Sequence, residues 1–218
     1  MARLSLGVLI SGRGSNLRAL IDAASDPAYP SEVALVISNR ADAAGLAHAA
    51  AAGIETRIIP DPDRSRFAAA ADAALRGAGV ELVVLAGFMR LLDDGFVEAW
   101  RDRLVNIHPS LLPAFPGLRP QRQALTAGVR FSGCTVHFVR SAVDTGPIIA
   151  QAVVPVQPGD DETRLADRIL AAEHRLYPLA IRLYAEGRLR VVDERVEIAG
   201  IAAPDIALFN PPPDRSHP

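Results

Sequence analysis

The sequence predicts an α/β protein, a Rossmann-like and mostly parallel sheet flanked by helices, and three observations carry that prediction. Short apolar runs alternate with helical segments through the first half of the chain. The runs are solidly apolar rather than alternating, as strands covered on both faces require. The first run ends in a glycine-rich turn that opens directly into a helix, the βα entry of such folds. At 218 residues the chain is long enough for one well-buried domain, or for two small halves sharing a sheet.

In order, Leu4–Ile10 reads as the first strand, Ser11-Gly12-Arg13-Gly14-Ser15-Asn16-Leu17 as the turn, and residues 18–24 as a helix. Unpaired N–H groups at such a helix start form an anion site. A dinucleotide fingerprint needs a third glycine, but Leu17 stands in that place. The second strand, residues 33–38, runs into Asn39-Arg40 with no acid to hold a ribose diol. Tight-turn packing is the other reading of these glycines. A helix over residues 42–52, a strand over 55–59, a helix over 65–76 and a buried strand over 82–88 continue the rhythm, and Gly87 to Leu92 closes that central strand.

Leu104-Val105-Asn106-Ile107-His108 begins as a strand, and Pro109-Ser110-Leu111-Leu112-Pro113 continues as a stiffened loop. Alternate side chains of a strand share a face, so Leu104, Asn106 and His108 point one way and Val105 and Ile107 the other. An amide donor and a group that titrates near neutrality, side by side at a strand end, suit a carbonyl oxygen that becomes an oxyanion. The alternative is an Asn–His pair that only terminates the sheet.

A short helix is expected near residues 123–127 and a strand beside the site over 134–139, in which His137 is a packed or hydrogen-bonded histidine. Val143-Asp144-Thr145-Gly146-Pro147 reads as a turn carrying one carboxylate. Asp160-Asp161 caps a helix over residues 162–186, where Pro178 predicts a kink. On that helix Glu173 falls about 40° from Ile169, inside the apolar stripe of Leu165, Ile169, Leu176, Ala180 and Leu183. A carboxylate there needs a partner, and a neighbouring arginine is one candidate. Residues 188–192 and Arg195–Ile198 form a closing hairpin, and residues 199–218 an irregular, proline-rich tail.

Composition excludes several function classes. A net charge of −2 argues against a nucleic-acid surface. The single cysteine, Cys134, excludes an internal disulfide and a cysteine-based zinc site. All 23 basic residues are arginine, which excludes a Walker-type phosphate loop and a Schiff-base lysine. No apolar stretch is long enough to cross a bilayer, and the chain runs straight into a strand, so a cytoplasmic location is expected.

The string Asn106-Ile107-His108-Pro109-Ser110-Leu111-Leu112-Pro113 resembles the signature of folate-dependent formyltransferases. Ile10 to Leu17 is similar to the start of those members that act on glycinamide ribonucleotide, and the resemblance runs from residue 4 to about residue 198. It implies the formyltransferase fold, with antiparallel strands added to the sheet in the C-terminal half. It also implies formyl transfer from 10-formyltetrahydrofolate to the amine of 5-phosphoribosylglycinamide, a step of de novo purine synthesis. The implied partners are these two small molecules, with no metal, nucleic acid or membrane, in a monomer or homodimer.

The resemblance assigns the substrate phosphate to Gly14, Ser15 and Asn16, and the glycinamide to Glu173. It assigns catalysis to Asn106, His108 and Asp144, the last favouring the imidazolium form of His108. Met89, Arg90, Leu91 and Leu92, with Val97, line the implied folate pocket, and Arg66 faces the glutamate tail. Relatives usually carry a histidine where this chain has Arg119-Pro120-Gln121, a departure that counts against a catalytic role for that loop and leaves Asn106 and His108 intact. The implied layout is one domain over residues 1–198, with a phosphate-binding half to about 100 and a catalytic and folate half beyond. The tRNA-formylating branch, with its extra C-terminal domain, and the deformylase branch, with its N-terminal regulatory domain, fit this layout poorly. A sugar-nucleotide N-formyltransferase and a non-catalytic phosphometabolite-binding domain remain as rival readings.

Overall fold

The chain folds around a seven-stranded sheet, described by a computed structural model over residues 2–200, 202 and 207–211. Five strands are parallel: β1 (Leu4–Ile10), β2 (Ser31–Ser38), β3 (Glu55–Ile58), β4 (Leu82–Leu85) and β5 (Leu104–His108). Two antiparallel strands, β6 (Phe131–Phe138) and β7 (Ile148–Pro155), extend the β5 edge. The strand order is β3-β2-β1-β4-β5-β6-β7. The helices are α1 (Ser15–Ala24), α2 (Gly45–Ala51), α3 (Arg64–Gly77), α4 (Asp94–Ala99), α5 (Pro120–Ala127) and α6 (Glu162–Ala185). A separate hairpin, β8 (Leu189–Val192) and β9 (Arg195–Ile198), follows α6. The fold is thus the mostly parallel, helix-flanked sheet with antiparallel C-terminal strands that the sequence and its resemblance imply. No helix among the described residues is long and apolar enough to cross a membrane.

Strand alternation divides the core in two. Leu6, Val8, Ile10, Val84, Val105 and Ile107 pack with residues of α1 and α6 on one face. Leu9, Leu35, Val83, Leu85 and Leu104 pack with Phe67, Leu75, Phe96 and Trp100 of the α3–α4 side on the other. Each such side chain contributes about 1.5–3 kcal/mol when fully buried, which fixes the register of β5 and therefore the direction of its polar residues. The order reverses between β1 and β4, and ligand crevices of open α/β sheets form at that point, beyond the carboxyl ends of the strands.

Several elements differ from expectation. The strand expected over residues 82–88 stops at Leu85, because the chain turns at Gly87 (φ 72°) and bonds across to β1 instead. There Ser11 N donates to Gly87 O at 3.2 Å, and Met89 N donates to Ser11 Oγ at 2.8 Å. Residues 87–92 therefore form an irregular segment past the strand. Helix α1 begins at Ser15 rather than residue 18, since left-handed Gly14 delivers the chain directly into the first turn. Helix α4 is too short for a periodic signal, and Asp93 caps it by accepting from Gly95 N. Strand β7 was absent from the sequence reading; as an edge strand it mixes exposed and buried positions. Helix α6, by contrast, has the expected extent, with Pro178 inside it and Asp161 capping it by accepting from Arg164 N. Of the tail, Asn210 docks by donating to the carbonyls of Arg130 and Val156, at 2.6 and 3.1 Å. Residues 201, 203–206 and 212–218 of that segment lie outside the described residues.

Candidate active site

The glycine turn is built from backbone. Gly14 sits at φ 71° as the N-cap of α1 and makes no side-chain cap hydrogen bond, so the N–H groups of the first turn face outward. A Cβ on Gly14 would stand 2.5 Å from Gly45 Cα, and one on Gly45 would stand 2.9 Å from Gly14 Cα. Two glycines are therefore needed for the turn to lie on the start of α2, where Gly45 N donates to Gly12 O at 2.9 Å. The sequence signalled Gly14; the need for Gly45 arises only from this approach.

The side chain of Asn16 is directed elsewhere. Its Nδ2 donates to Glu173 Oε2 at 2.7 Å, so the buried carboxylate of α6 is met by an amide rather than an arginine. Asn16 Oδ1 is buried and meets no hydrogen-bond partner among the described residues. Burial pushes the Glu173 carboxyl up from 4.5 to about 6, and the Asn16 hydrogen bond only partly opposes this. The pair presents an unsatisfied acceptor and a carboxylate, a setting for a ligand rich in N–H or O–H donors. One turn along α6, Tyr177 is fully buried, with its hydroxyl 2.9 Å from Leu85 O and 3.2 Å from Val105 O. That hydroxyl ties the helical turn carrying Glu173 to the two strands beside Asn106.

The second cluster is built from side chains. Strand β6 pairs with β5 so that His137 lies opposite Asn106 and Thr135 opposite His108. Asn106 Nδ2 lies 3.3 Å from His137 Nε2, and His108 Nδ1 lies 3.3 Å from Asp144 Oδ2. Asp144 reaches this point because the 143–147 turn folds back onto β6. Phe138 N donates to Pro147 O at 2.9 Å, and a Cβ on Gly146 would fall 1.7 Å from Phe138 O. Asn106, His108 and Asp144 thus come together, and His137 joins them with its side chain 2% exposed.

The proline loop locks this cluster. His108 Nε2 lies 3.0 Å from Phe115 O, and Gly117 N donates to Asp144 Oδ2 at 2.8 Å. His108 therefore stands between two acceptors, and both are satisfied when each ring nitrogen carries hydrogen. Phe115 holds its position at φ 56°, a conformation costly for a bulky residue and met mostly at functional sites. Behind the loop, Thr135 Oγ1 donates to Ser110 O at 2.7 Å and accepts from Leu112 N at 3.0 Å, while Gln151 Nε2 donates to Leu112 O at 2.9 Å. Thr135 and Gln151 escaped the sequence reading, which places the strand of His137 beside the site but not its contact with Asn106. The pairing register of β6 with β5 is the signal that finds Thr135 and His137, and it is not written in either strand alone.

A cleft of about 250 Å³ opens beside Asp144, lined by Leu112, Pro113, Pro116, Val143 and Ile148. A wider depression of about 530 Å³ follows α5 between Phe115, Leu118, Arg119 and Arg122, but no side chain of the polar cluster lines it. The smaller cleft reaches the cluster through Asp144 and is the better candidate for a reacting group.

Of the remaining expected site residues, Met89 and Leu91 are 75% and 62% exposed, whereas Leu92 and Val97 turn into the core. Arg90 donates to the carbonyls of Asp61 and Pro62, at 2.6 and 2.9 Å, over the Phe67 ring. Arg66 pairs with Asp61 at 2.9 Å, on the same segment. Met89 and Leu91 thus expose an apolar edge, with the Arg66 and Arg90 pair set beside it through Asp61.

Residues 5–181 match the formyl transferase family. The phosphoribosylglycinamide formyltransferase of Escherichia coli K12 is 44% identical over 204 residues, covering 92% of this chain and 96% of that protein. The trifunctional purine biosynthetic protein adenosine-3 of Drosophila pseudoobscura pseudoobscura is 54% identical over 197 residues, covering 88% of this chain; the chain spans 14% of the length of that relative. The crystal structure of glycinamide ribonucleotide transformylase 1 from Symbiobacterium toebii superposes with a TM-score of 0.87 at 53% identity, over 90% of this chain and 94% of that one. A match that runs from the first strand into the last long helix leaves one conclusion, that this chain belongs to the formyl transferase family.

Proposed function

We propose that the chain transfers the formyl group of 10-formyltetrahydrofolate to the glycinamide amine of 5-phosphoribosylglycinamide. One observation carries this reading: an amide, an imidazole and a carboxylate from β5 and the 143–147 turn meet beside a cleft, with His108 and Asp144 3.3 Å apart. The glycine turn at the end of β1, one strand removed from β5, and the Asn16–Glu173 pair beside it supply the anion site and the donor-seeking site that this acceptor substrate needs. Residues 1–100 then serve chiefly to hold the phosphate, and residues 101–198 supply the catalytic groups.

Backbone N–H groups of Gly14, Ser15 and Asn16 hold the phosphate, and Glu173 orients the glycinamide end. Met89, Leu91 and the backbone of residues 89–92 flank the folate ring, with Leu92 and Val97 supporting that wall from the core. Arg90 and Arg66 stand toward the glutamate tail. The amine nitrogen bonds to the formyl carbon, and the carbonyl oxygen gains negative charge. Asn106 donates to that oxygen, and His108 Nε2 joins it by exchanging the Phe115 carbonyl for the oxyanion, both acting on charge that exists only near the transition state. The bond from the formyl carbon to N10 then breaks. The proton lost by the amine reaches N10 with the help of His108, whose ring Asp144 holds in place.

A formyl-transfer assay tests this reading, with glycinamide ribonucleotide, phosphate-free glycinamide and an amino-sugar nucleotide as competing acceptors. Transfer is expected to the ribonucleotide, weakly to glycinamide and not to the amino sugar. Preferential formylation of the amino sugar, or binding of the ribonucleotide without release of tetrahydrofolate, overturns it.

A further inference from the structure

We propose that His137 is a positioning residue that sets the orientation of the Asn106 amide, so that the NH2 end and not the oxygen faces the reacting formyl group. This rests on the reading of Asn106 as a donor to the developing oxyanion. The argument begins with the Nδ1 atom of His137, which lies 2.9 Å from Phe138 O, an oxygen that can only accept. Nδ1 therefore carries hydrogen. In a neutral ring Nε2 then holds a lone pair, and it lies 3.3 Å from the Asn106 side-chain nitrogen. A lone pair there is satisfied by the NH2 end of the amide and repelled by its oxygen. One amide hydrogen is engaged by the ring, and the other stays free for a substrate oxygen.

The surroundings keep the ring neutral. His137 faces Asn106, Asp144 and His108, and its nearest carboxylate oxygen, Asp144 Oδ1, is 3.8 Å from Nε2, beyond hydrogen-bond length. Burial pushes the imidazole below its ordinary value, and the nearby His108 acts in the same direction while Asp144 and the Phe138 carbonyl oppose. His108 and His137 thus divide two roles between them. His108 stands between two acceptors as a donor, whereas His137 is an acceptor that aims its neighbour. Without that acceptor the amide can rotate by half a turn and present oxygen to an oxygen gaining negative charge.

The first test needs no variant of uncertain folding. Nitrogen NMR of histidine-labelled wild-type protein, from about pH 6 to 8, is expected to show His137 neutral with hydrogen on Nδ1; His137→Gln serves only to assign the signal. A ring with hydrogen on Nε2 overturns the proposal. In the activity arm, His137→Leu is expected to lower kcat about 10–100-fold with both KM values nearly unchanged. His137→Gln places an oxygen acceptor near the Nε2 position and is expected to recover most of the loss. In an Asn106→Ala background, His137→Leu is expected to cost nothing more; losses that multiply overturn the positioning role. If His137→Leu keeps full kcat while Asn106→Ala does not, positioning alone fails. If Asn106→Ala itself keeps full kcat, the oxyanion reading of Asn106 fails.

Discussion

The glycine turn after β1 and the polar cluster after β5 lie at the same edge of one sheet, yet they are assembled from opposite materials. The turn is backbone, contained in five consecutive residues from Gly12 to Asn16, and its chemistry comes from N–H groups that a helix start leaves unpaired. The cluster is side chains, drawn from β5, β6 and the 143–147 turn and held by backbone atoms at Phe115 and Gly117. The turn therefore tolerates side-chain change at Arg13, but neither added bulk at Gly14 nor loss of the Asn16 amide that meets Glu173. The cluster tolerates side-chain change at none of its members, because each is oriented by another.

That contrast sets the order of expected effects. His108→Ala is expected to lower kcat about 10²–10³-fold in the formyl-transfer assay, with binding of both substrates little changed. Near-normal turnover would remove His108 from the chemistry and make the cluster a structural one. Gly14→Ala is expected to act in the opposite sense, raising KM for the ribonucleotide about tenfold at nearly constant kcat. A left-handed alanine costs roughly 1–2 kcal/mol before its contact with Gly45 is counted. If kcat falls and KM does not, the turn is coupled to the chemistry and the two regions are not separable.

Glu173, joined to the glycine turn through Asn16, gives a smaller effect in the free enzyme. Its pKa in the folded protein is about 6, above the ordinary 4.5, so the folded state holds this proton more tightly than the unfolded chain. Stability from this group is present below pH 4.5, declines as pH rises through 6, and stays lower above it. The difference corresponds to about 2 kcal/mol. Urea unfolding of wild type and Glu173→Gln at several pH values isolates it: the wild type should lose that stability between about pH 4.5 and 6.5 relative to the variant. Parallel pH profiles would show that the Asn16 bond already compensates the charge.

The smallest expected effect is at Arg66, which is exposed and already paired with Asp61. Arg66→Ala should leave Tm unchanged and raise KM for 10-formyltetrahydrofolate a few-fold. An unchanged KM would take Arg66 out of the folate contacts and leave the tail to Arg90.

The sequence by itself determined the parallel sheet, the glycine turn and the faces of β5, because apolar periodicity and backbone-restricted residues act over a few neighbouring positions. It also marked Glu173 as a carboxylate in a buried stripe, since helical geometry alone places it there. It left the partner of Glu173 open, because Asn16 stands 157 positions away. Only the tertiary structure decided that partner, the end of β4 at Leu85, the presence of β7, and the meeting of His137 with Asn106. These depend on which strand lies beside which and in what register. That register is set by burial summed over two whole faces of the sheet, a quantity no short segment of the chain contains.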